Sequence, residues 1–195
     1  MQQTAGATIR LAVPADAAAL ADVAAATFPL ACPPSTTPEA VAAFVAANLS
    51  EERFRAYLAD PSRILFVDDA GDRLDGYAML ALGEPRDPDV AAAVRIRPTG
   101  ELSKLYVRPE RHGSGTGADL LAATLDAARP AVAGVWLGTN QGNARALRFY
   151  AKQGFEQVGT RRFLVGTSLE ADFVLERPVP RRGDDEETVS RLATG

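Results

Sequence analysis

The chain has 195 residues, of which 47% are hydrophobic and 24% charged, values typical of a folded globular protein. This length predicts one domain rather than two. The net charge of -4 leaves no basic surface of the kind that binds nucleic acid, and a single cysteine and a single histidine exclude an internal disulfide and a structural zinc site.

The N-terminal residues lack the basic start and the apolar core of a signal peptide. No apolar stretch is long enough to cross a bilayer. We therefore expect a cytoplasmic protein that uses no metal and has neither nucleic acid nor a membrane as a partner.

The first part of the chain predicts a strand followed by helices. Residues 8–13 alternate as a strand does, and Pro14 opens a helix. Several prolines interrupt the pattern before a second helix over 39–48 and a third, capped by Ser50, that ends near residue 59. These helices are expected to form a helical cover.

The middle of the chain predicts a hairpin and a loop. Strands over 64–67 and 77–82 flank a turn-rich segment, the pattern of an antiparallel pair. Residues 83–100 form a long connection with three prolines, and connections of this kind often border a binding site.

The second half predicts strands and helices around a glycine turn. A strand over 101–107 precedes the turn, and a helix over 118–128 follows it. The other elements expected are strands over 135–137, 155–158 and 172–175 and a helix over 143–153 ended by Gly154. The polar end of the chain predicts a domain over 1–178 and a flexible tail over 179–195.

The glycine turn has the features of an anion site. Residues 112–117 read His-Gly-Ser-Gly-Thr-Gly between a strand and a helix. The backbone amides of such a turn and the dipole of the helix favour phosphate, and Ser114 and Thr116 offer hydroxyl donors. A glycine cluster taken alone is equally compatible with a flexible loop that opens a helix.

Two other nucleotide motifs do not fit this turn. It satisfies the dinucleotide pattern G-x-G-x-x-A, but Trp136-Leu137-Gly138 stands where an acidic residue should end the next strand. The turn also follows a hairpin instead of opening a βαβ unit. A P-loop triphosphatase is excluded because no G-K-[ST] is present.

Two motifs together resemble the GCN5-related N-acetyltransferase (GNAT) superfamily. Leu105-Tyr106-Val107-Arg108-Pro109, with the turn that ends at Gly117, is similar to its strand, proline and Q/R-x-x-G-x-G/A loop. Residues 143–155 are similar to its N-x-x-A-x-x-F-Y-x-x-x-G-F helix.

Within the superfamily the chain most resembles the PaiA-type polyamine acetyltransferases. The similarity lies in residues 101–107, 136–138, 163–166 and 172–176. The chain departs from the pattern at His112, where glutamine or arginine is preferred, and at 166–168, where Gly-Thr-Ser replaces an acidic Gly-Asp-Asp.

The resemblance implies an α/β (α+β) fold, with a mixed, mostly antiparallel sheet of about seven strands and helices on both faces. It implies acetyl-CoA as cosubstrate, a small-molecule amine as acceptor, and a monomer or homodimer. We expect acetyl transfer to a primary amine, with a polyamine as one candidate, by direct attack in a ternary complex, because no cysteine or activated serine is placed for a covalent intermediate. The alternatives are an amino-acid, peptide N-terminal or drug amine as acceptor, and a CoA-binding regulatory module without turnover.

Two residues are predicted to move protons. Tyr150 resembles the superfamily's general acid, which protonates the departing thiolate, although an isolated tyrosine on an amphipathic helix would be assigned to the core. Glu101 opens the strand that lies beside the acetyl group in the superfamily, and we expect it to act as a base through water. A solvated glutamate at a strand end is the alternative for Glu101.

The predicted cofactor site surrounds the turn. The Val107 N–H is the candidate donor to the developing oxyanion, and the side chains of Leu105 and Val107 are assigned to the core. Asn143 resembles a cofactor-contacting asparagine and also fits a helix N-cap, and His112 is expected to contact phosphate instead of acting as a base. The full predicted set is Leu105, Tyr106, Val107, His112, Gly113, Ser114, Gly115, Thr116, Gly117, Ala118 and Asn143.

Overall fold

A computed structural model describes residues 8–33, 36–165 and 168–181. The helices and strands in these ranges are β1 (Thr8–Leu11), α1 (Ala17–Thr27), α2 (Pro38–Asn48), α3 (Glu51–Ala59), β2 (Arg63–Asp69), β3 (Leu74–Leu82), α4 (Pro88–Ala93), β4 (Thr99–Val107), α5 (Thr116–Ala128), β5 (Gly134–Asn140), α6 (Ala144–Lys152), β6 (Glu156–Val165) and β7 (Ser168–Pro178).

The strands form one sheet in the order β1-β2-β3-β4-β5-β7-β6. Neighbouring strands run antiparallel except β4 and β5, which run parallel. The sheet therefore consists of two antiparallel parts, β1 to β4 and β5 to β6, joined by one parallel pair. The predicted fold class, a mixed and mostly antiparallel sheet of about seven strands, is confirmed.

Helices cover both faces of the sheet. On one face Leu20 of α1 and Phe54 of α3 share a buried cluster with Tyr77 of β3. On the other face Leu121 of α5 shares a cluster with Leu137 of β5, and α6 packs against the same cluster. Burying both faces explains why the strands of this sheet are rich in apolar residues.

The parallel pair is short, and this decides where a cavity can form. Thr99, Gly100 and Glu101 pair with Gly134, Val135 and Trp136, and the pairing stops there. Residues 102–107 and 137–140, all of which the structure describes, do not pair with each other. Because β3 holds β4 and β7 holds β5, the two strands diverge beyond this point and leave a fork in the sheet.

A β-bulge lies at the start of this fork. Met79 of β3 pairs with Lys104 of β4, whereas the next residue, Leu80, pairs with Leu102. Ser103 is therefore an extra residue in β4. Bulges bend a strand and reverse the facing of the residues beyond them.

The connection over residues 83–100 contains a helix that sequence reasoning missed. The side chain of Asp87 accepts hydrogen bonds from the amides of Asp89 (2.9 Å) and Val90 (3.3 Å) and so caps α4. With six residues, α4 is too short to show helical periodicity. Ser50 caps α3 as predicted, and Thr37 caps α2.

The last strands and the end of the chain pack more extensively than the sequence indicates. β6 and β7 are longer than expected because they pair with each other along most of their length. Of the predicted tail, the structure describes residues 179–181, where the buried Val179 donates its N–H to the Ala133 carbonyl (2.8 Å). Residues 182–195 lie outside the described residues, as do Gly166 and Thr167 of the predicted PaiA-type departure.

Among the described residues no helix combines the length and apolar character that a membrane span requires.

Candidate active site

A cavity of about 620 Å³ occupies the fork between β4 and β5. Residues 102–107 of β4 form one wall, Gly138 and Thr139 of β5 form another, and the glycine turn and α6 close the sides. Thr27 and Leu30, from the end of α1 and the turn after it, complete the lining. The volume lies within the range of small-molecule sites.

The glycine turn brings unpartnered amides to the cavity. Gly113 and Gly115 have φ of +82° and +97°, a region that residues with a Cβ rarely adopt. The N–H groups of Gly113, Gly115 and Gly117 donate to no residue in the described ranges. Since α5 begins at Thr116, its positive end lies at the same place. The turn has the donors that an anion site needs.

The hydroxyl groups of the turn are directed elsewhere. Ser114 Oγ donates to the Arg111 carbonyl (2.7 Å) and lies 3.0 Å from Thr116 Oγ1. Thr116 is 4% exposed, and neither residue lines the cavity. In this arrangement the hydroxyls stabilise the turn.

His112 connects the end of β4 to α6. Its Nε2 lies 2.9 Å from the Val107 carbonyl and its Nδ1 lies 3.0 Å from Arg145 Nη1. A carbonyl only accepts and a guanidinium only donates, so these contacts require a neutral ring with its proton on Nε2. Both ring nitrogens are thus used within the protein, and His112 holds the Arg145 guanidinium at the cavity wall.

The ladder between β3 and β4 directs the Val107 amide. The Arg108 N–H donates to the Asp75 carbonyl (2.8 Å), a bond that flanks the pair formed by Val107 and Gly76. Val107 and Gly76 are therefore a non-hydrogen-bonded pair. It follows that the Val107 N–H points away from β3, into the fork, and by alternation so does that of Leu105.

Tyr150 lies on α6 and lines the cavity. Its ring makes edge contacts with Phe149 (5.2 Å between centroids) and Phe155 (5.5 Å), which fix its orientation. The hydroxyl bonds to none of the described residues. Burial raises the pKa of the phenol, and the nearby Tyr106 adds to the rise.

Glu101 lies just before the fork. It pairs with Trp136 at the last position that joins β4 to β5, and it is not part of the cavity lining. Burial raises the pKa of its carboxyl, opposed by the positive charges of Arg161, Lys104 and Arg63. Across the described ranges it has no hydrogen-bond or ion-pair partner.

Lys104 lines the cavity and was missed from the sequence. Residues three apart in a regular strand face opposite sides, but the bulge at Ser103 brings Lys104 to the face of Glu101. Its Nζ lies 5.2 Å from the centre of the Tyr57 ring. Burial lowers the pKa of Lys104 to about 8, while Glu101 acts in the opposite direction.

Asn143 caps α6 and also lines the cavity. Its Oδ1 accepts the Ala146 N–H (3.0 Å), which confirms the N-cap interpretation. The residue also lines the cavity, and its amide donors bond to none of the described residues.

The sequence does not indicate that several other residues line the cavity. Thr27, Leu30 and Ala31 come from the first helical segment, far along the chain from the motifs. Arg111 and Arg145 also lie at the wall. Arg145 falls on a variable position of the helix motif, and only the contact with His112, 33 residues away, reveals its place.

The sequence was compared with known protein families. The model of the acetyltransferase (GNAT) family matches residues 29–155, more than half of the chain. The chain belongs to this family. The match contains both motifs, the one that ends in the glycine turn and the one over 143–155, and all the residues that line the cavity except Thr27.

Two relatives of this GNAT protein carry the same description. An uncharacterized N-acetyltransferase of Mycobacterium tuberculosis (strain ATCC 25618 / H37Rv) is 49% identical over 163 residues, which are 83% of this chain and 97% of the relative. An uncharacterized N-acetyltransferase of Lactobacillus delbrueckii subsp. lactis is 26% identical over 143 residues, 72% and 79% of the two chains.

Solved structures confirm the GNAT fold. The PaiA N-acetyltransferase of Thermoplasma acidophilum in complex with coenzyme A superposes with a TM-score of 0.70 at 19% identity, over 89% of this chain and 99% of that one. The ribosomal-protein-alanine N-acetyltransferase of Brucella melitensis superposes with a TM-score of 0.66 at 22% identity, over 88% and 99%. At these identities the likeness is one of fold.

The hydrogen-bond donors that line the cavity of this GNAT protein suit acetyl-CoA. Unpartnered amides suit a pyrophosphate, and Arg145 adds a positive charge at the same wall. The open edge of β4 offers backbone groups of Leu105 and Val107 to an amide-containing chain. Acetyl-CoA supplies the activated acetyl group when it is bound.

Proposed function

We propose that this protein transfers the acetyl group of acetyl-CoA to a primary amine by direct attack. The observation that carries the proposal is the fork, in which one cavity joins three different groups. These are the unpartnered amides of the glycine turn, the N–H of Val107 and the hydroxyl of Tyr150. They correspond to an anion site, an oxyanion donor and an acid.

The backbone supplies binding and charge stabilisation. The amides of Gly113, Gly115 and Gly117 hold the pyrophosphate, and the Val107 N–H donates to the thioester oxygen as it gains negative charge. Because the ladder with β3 holds Val107 in place before substrate arrives, little reorganisation is needed during the reaction.

Tyr150 supplies a proton to the leaving group. As the acceptor nitrogen bonds to the acetyl carbon, the C–S bond breaks and the thiolate takes the phenol proton. The raised pKa of Tyr150 keeps the phenol protonated throughout the physiological range, so the acid form is always present.

An acceptor that enters as an ammonium must first lose a proton. Glu101 acting through water is our proposal from the sequence, and the raised pKa of its partly buried carboxyl makes it a stronger base than an exposed glutamate. Lys104 is the other charged residue of β4 on this face.

The identity of the amine is the finer part of the proposal. Residues 101–107 and 136–138 resemble PaiA-type enzymes, which favours a polyamine. Among the described residues, however, the charged groups at the cavity wall are Lys104, Arg111 and Arg145, and no carboxylate lines it. The charges at the wall therefore do not favour a polyamine over an amino acid or a peptide N-terminus as the acceptor.

Release of free CoA with a panel of amines tests the function. Acetyl-CoA is incubated with the protein and with spermine, spermidine, single amino acids or short peptides at one pH. Turnover that saturates with any primary amine supports acetyl transfer, and the ranking of kcat/KM identifies the acceptor class. Tight CoA binding with no turnover on any acceptor would instead indicate a CoA-binding module.

A further inference from the structure

Glu101 and Lys104 lie on opposite sides of the point along β4 at which β4 and β5 diverge. Glu101 lies where β4 still pairs with β5, and it does not line the cavity. Lys104 lies beyond the point of divergence and forms part of the wall. Of these two residues, Lys104 is therefore the one that an acceptor amine in the cavity can contact.

Lys104 lies among several charged and aromatic groups but is bonded to none of the described residues. Its Nζ packs near the ring of Tyr57, whose other cationic neighbour is Arg63 (4.8 Å from the ring centre). The groups that face Lys104 and Glu101 are Tyr57 of α3, Arg63 of β2 with its partner Asp60, Tyr106 of β4, and Arg161 of β6 with its partner Asp172.

These surroundings favour the neutral amine. Burial is the largest effect and lowers the pKa of Lys104 to about 8; Arg63 acts in the same direction and Glu101 opposes both. A base works best when its pKa lies near the working pH, since it is then often unprotonated and still accepts a proton readily.

We propose that Lys104 is the base that takes the proton from the acceptor ammonium. Glu101, which lies where β4 still pairs with β5, assists Lys104 through its negative charge. The inference rests on the acetyl transfer proposed above. It differs from the expectation for Glu101 in assigning the direct proton transfer to a residue at the cavity wall.

The proton balance is as follows. The acceptor ammonium gives one proton to Lys104 Nζ, and its freed lone pair bonds to the acetyl carbon. The C–S bond breaks, and the thiolate takes a proton from Tyr150. The second proton that the nitrogen loses as the amide forms replaces the one from Tyr150, and Lys104 returns its own to water.

An aliphatic ammonium in water, with a pKa of about 10, is too weak an acid to transfer its proton readily to Lys104. An acceptor bound beside Lys104 would experience the same desolvation and the same charge of Arg63. These effects lower the pKa of any ammonium placed there, so the transfer joins two amines of similar basicity.

The pH dependence of kcat/KM for the best acceptor tests the assignment. For the wild type we expect kcat/KM to rise with pH, and we call this rise the basic limb. Its midpoint should lie near pH 8, below the pKa of the acceptor ammonium. Lys104→Arg should lose this limb and at least a hundredfold in kcat, because the guanidinium stays protonated. Its CoA affinity and melting temperature should match the wild type.

Two further variants move the limb in opposite directions. Glu101→Gln removes the negative charge that favours the Lys104 ammonium and should shift the limb to lower pH. Arg63→Gln removes a positive charge and should shift it to higher pH. If Glu101→Gln is inactive at every pH while Lys104→Arg keeps the wild-type limb, Glu101 is the base and the assignment to Lys104 is overturned.

A second measurement needs no turnover, so it separates failure of this inference from failure of the proposed function. The chain has two lysines, Lys104 and the exposed Lys152, which serves as internal reference. Trace labelling with isotopic acetic anhydride, read by mass spectrometry, should show Lys104 reactivity with a midpoint near pH 8 that falls in Glu101→Gln. Reactivity of Lys104 that still rises above pH 10, or its full acetylation by acetyl-CoA alone, overturns the proposal.

Discussion

Tyr150 carries its hydroxyl at the cavity wall, with the ring held between Phe149 and Phe155. A thiol has a pKa of about 8.5, so its thiolate is a far weaker base than the phenolate left behind by a tyrosine with a raised pKa. Transfer of the phenol proton to sulfur is therefore uphill by itself, and it proceeds only together with the return to Tyr150 of the second proton that the acceptor nitrogen loses.

Replacing Tyr150 with phenylalanine should lower kcat by about a hundredfold or more, the usual contribution of a positioned acid. CoA affinity should change by less than about threefold, because the ring contacts remain. Steady-state kinetics with the best amine and calorimetric titration with CoA measure the two effects separately.

Tyr77→Phe is the matched control. The Tyr77 hydroxyl is buried, lies outside the cavity lining and has no hydrogen-bond partner among the described residues. This variant should keep wild-type kcat and equal or greater stability. If Tyr150→Phe also keeps full turnover, the assignment of the acid is wrong.

At the scale of elements, the glycine turn and α5 act as one unit. Gly113 and Gly115 adopt left-handed conformations that let the chain leave β4 and enter α5 within a few residues. Gly117 has no such requirement, since a Cβ there would make ordinary contact with the Phe149 ring at 3.6 Å. The turn therefore depends on two of its glycines for its shape and exposes the amides of all three.

Gly113→Ala should weaken CoA binding about tenfold, the equivalent of one lost hydrogen bond to a charged group. It should also lower the free energy of unfolding by about 1 kcal/mol because of its positive φ. Calorimetric titration and chemical denaturation give the two values.

Gly71→Ala separates the loss of CoA affinity from the loss of stability. Gly71 has φ of +93° and open space around its Cβ position, as Gly113 has, but it lies in the turn between β2 and β3 and not at the cavity. We expect the same loss of stability with unchanged CoA affinity. Equal affinity losses in both variants would contradict an anion site at residues 113–117.

At the scale of the whole molecule, Arg10 links the edge strand β1 to neighbouring parts of the fold. Arg10 of β1 donates to Asp69 of β2 (2.8 Å) and to both oxygens of Asp16 (2.7 and 2.8 Å). These bonds join the first strand, the turn before α1 and the hairpin. The Arg10 guanidinium lowers the pKa of both carboxyl groups.

Arg10→Met should destabilise the fold by about 1 kcal/mol at pH 7, a modest value because Arg10 is one third exposed. For a protein of this size that is roughly 2–4 °C in melting temperature. A lowered carboxyl pKa stabilises the folded state above the unfolded value of about 4. The difference from wild type should therefore be constant near neutral pH and shrink below about pH 4.

Arg55→Met provides the comparison for this variant. Arg55 pairs with Glu51 on the exposed side of α3, where an i,i+4 ion pair contributes little. Thermal melts from pH 3 to 7 should show almost no effect of Arg55→Met. A pH-independent loss in Arg10→Met would mean that its stabilising effect is packing and not charge.

The local elements of the site could be predicted from the sequence. The glycine turn, the caps at Ser50 and Asn143 and the hairpin of β2 and β3 depend on residues close together in the chain, and the structure confirms these elements. α4 was missed because six residues are too few for a periodic pattern.

The cavity itself was decided by tertiary structure. The parallel pairing of β4 and β5 ends after three residue pairs, the bulge at Ser103 turns Lys104 towards Glu101, and His112 meets Arg145 across 33 residues. Turn and capping preferences act between neighbours, so the sequence by itself determined where the backbone amides and the α6 motif occur. Strand divergence, register and burial depend on segments far apart in the chain, so only the folded sheet decided which side chains share the fork and how readily they exchange protons.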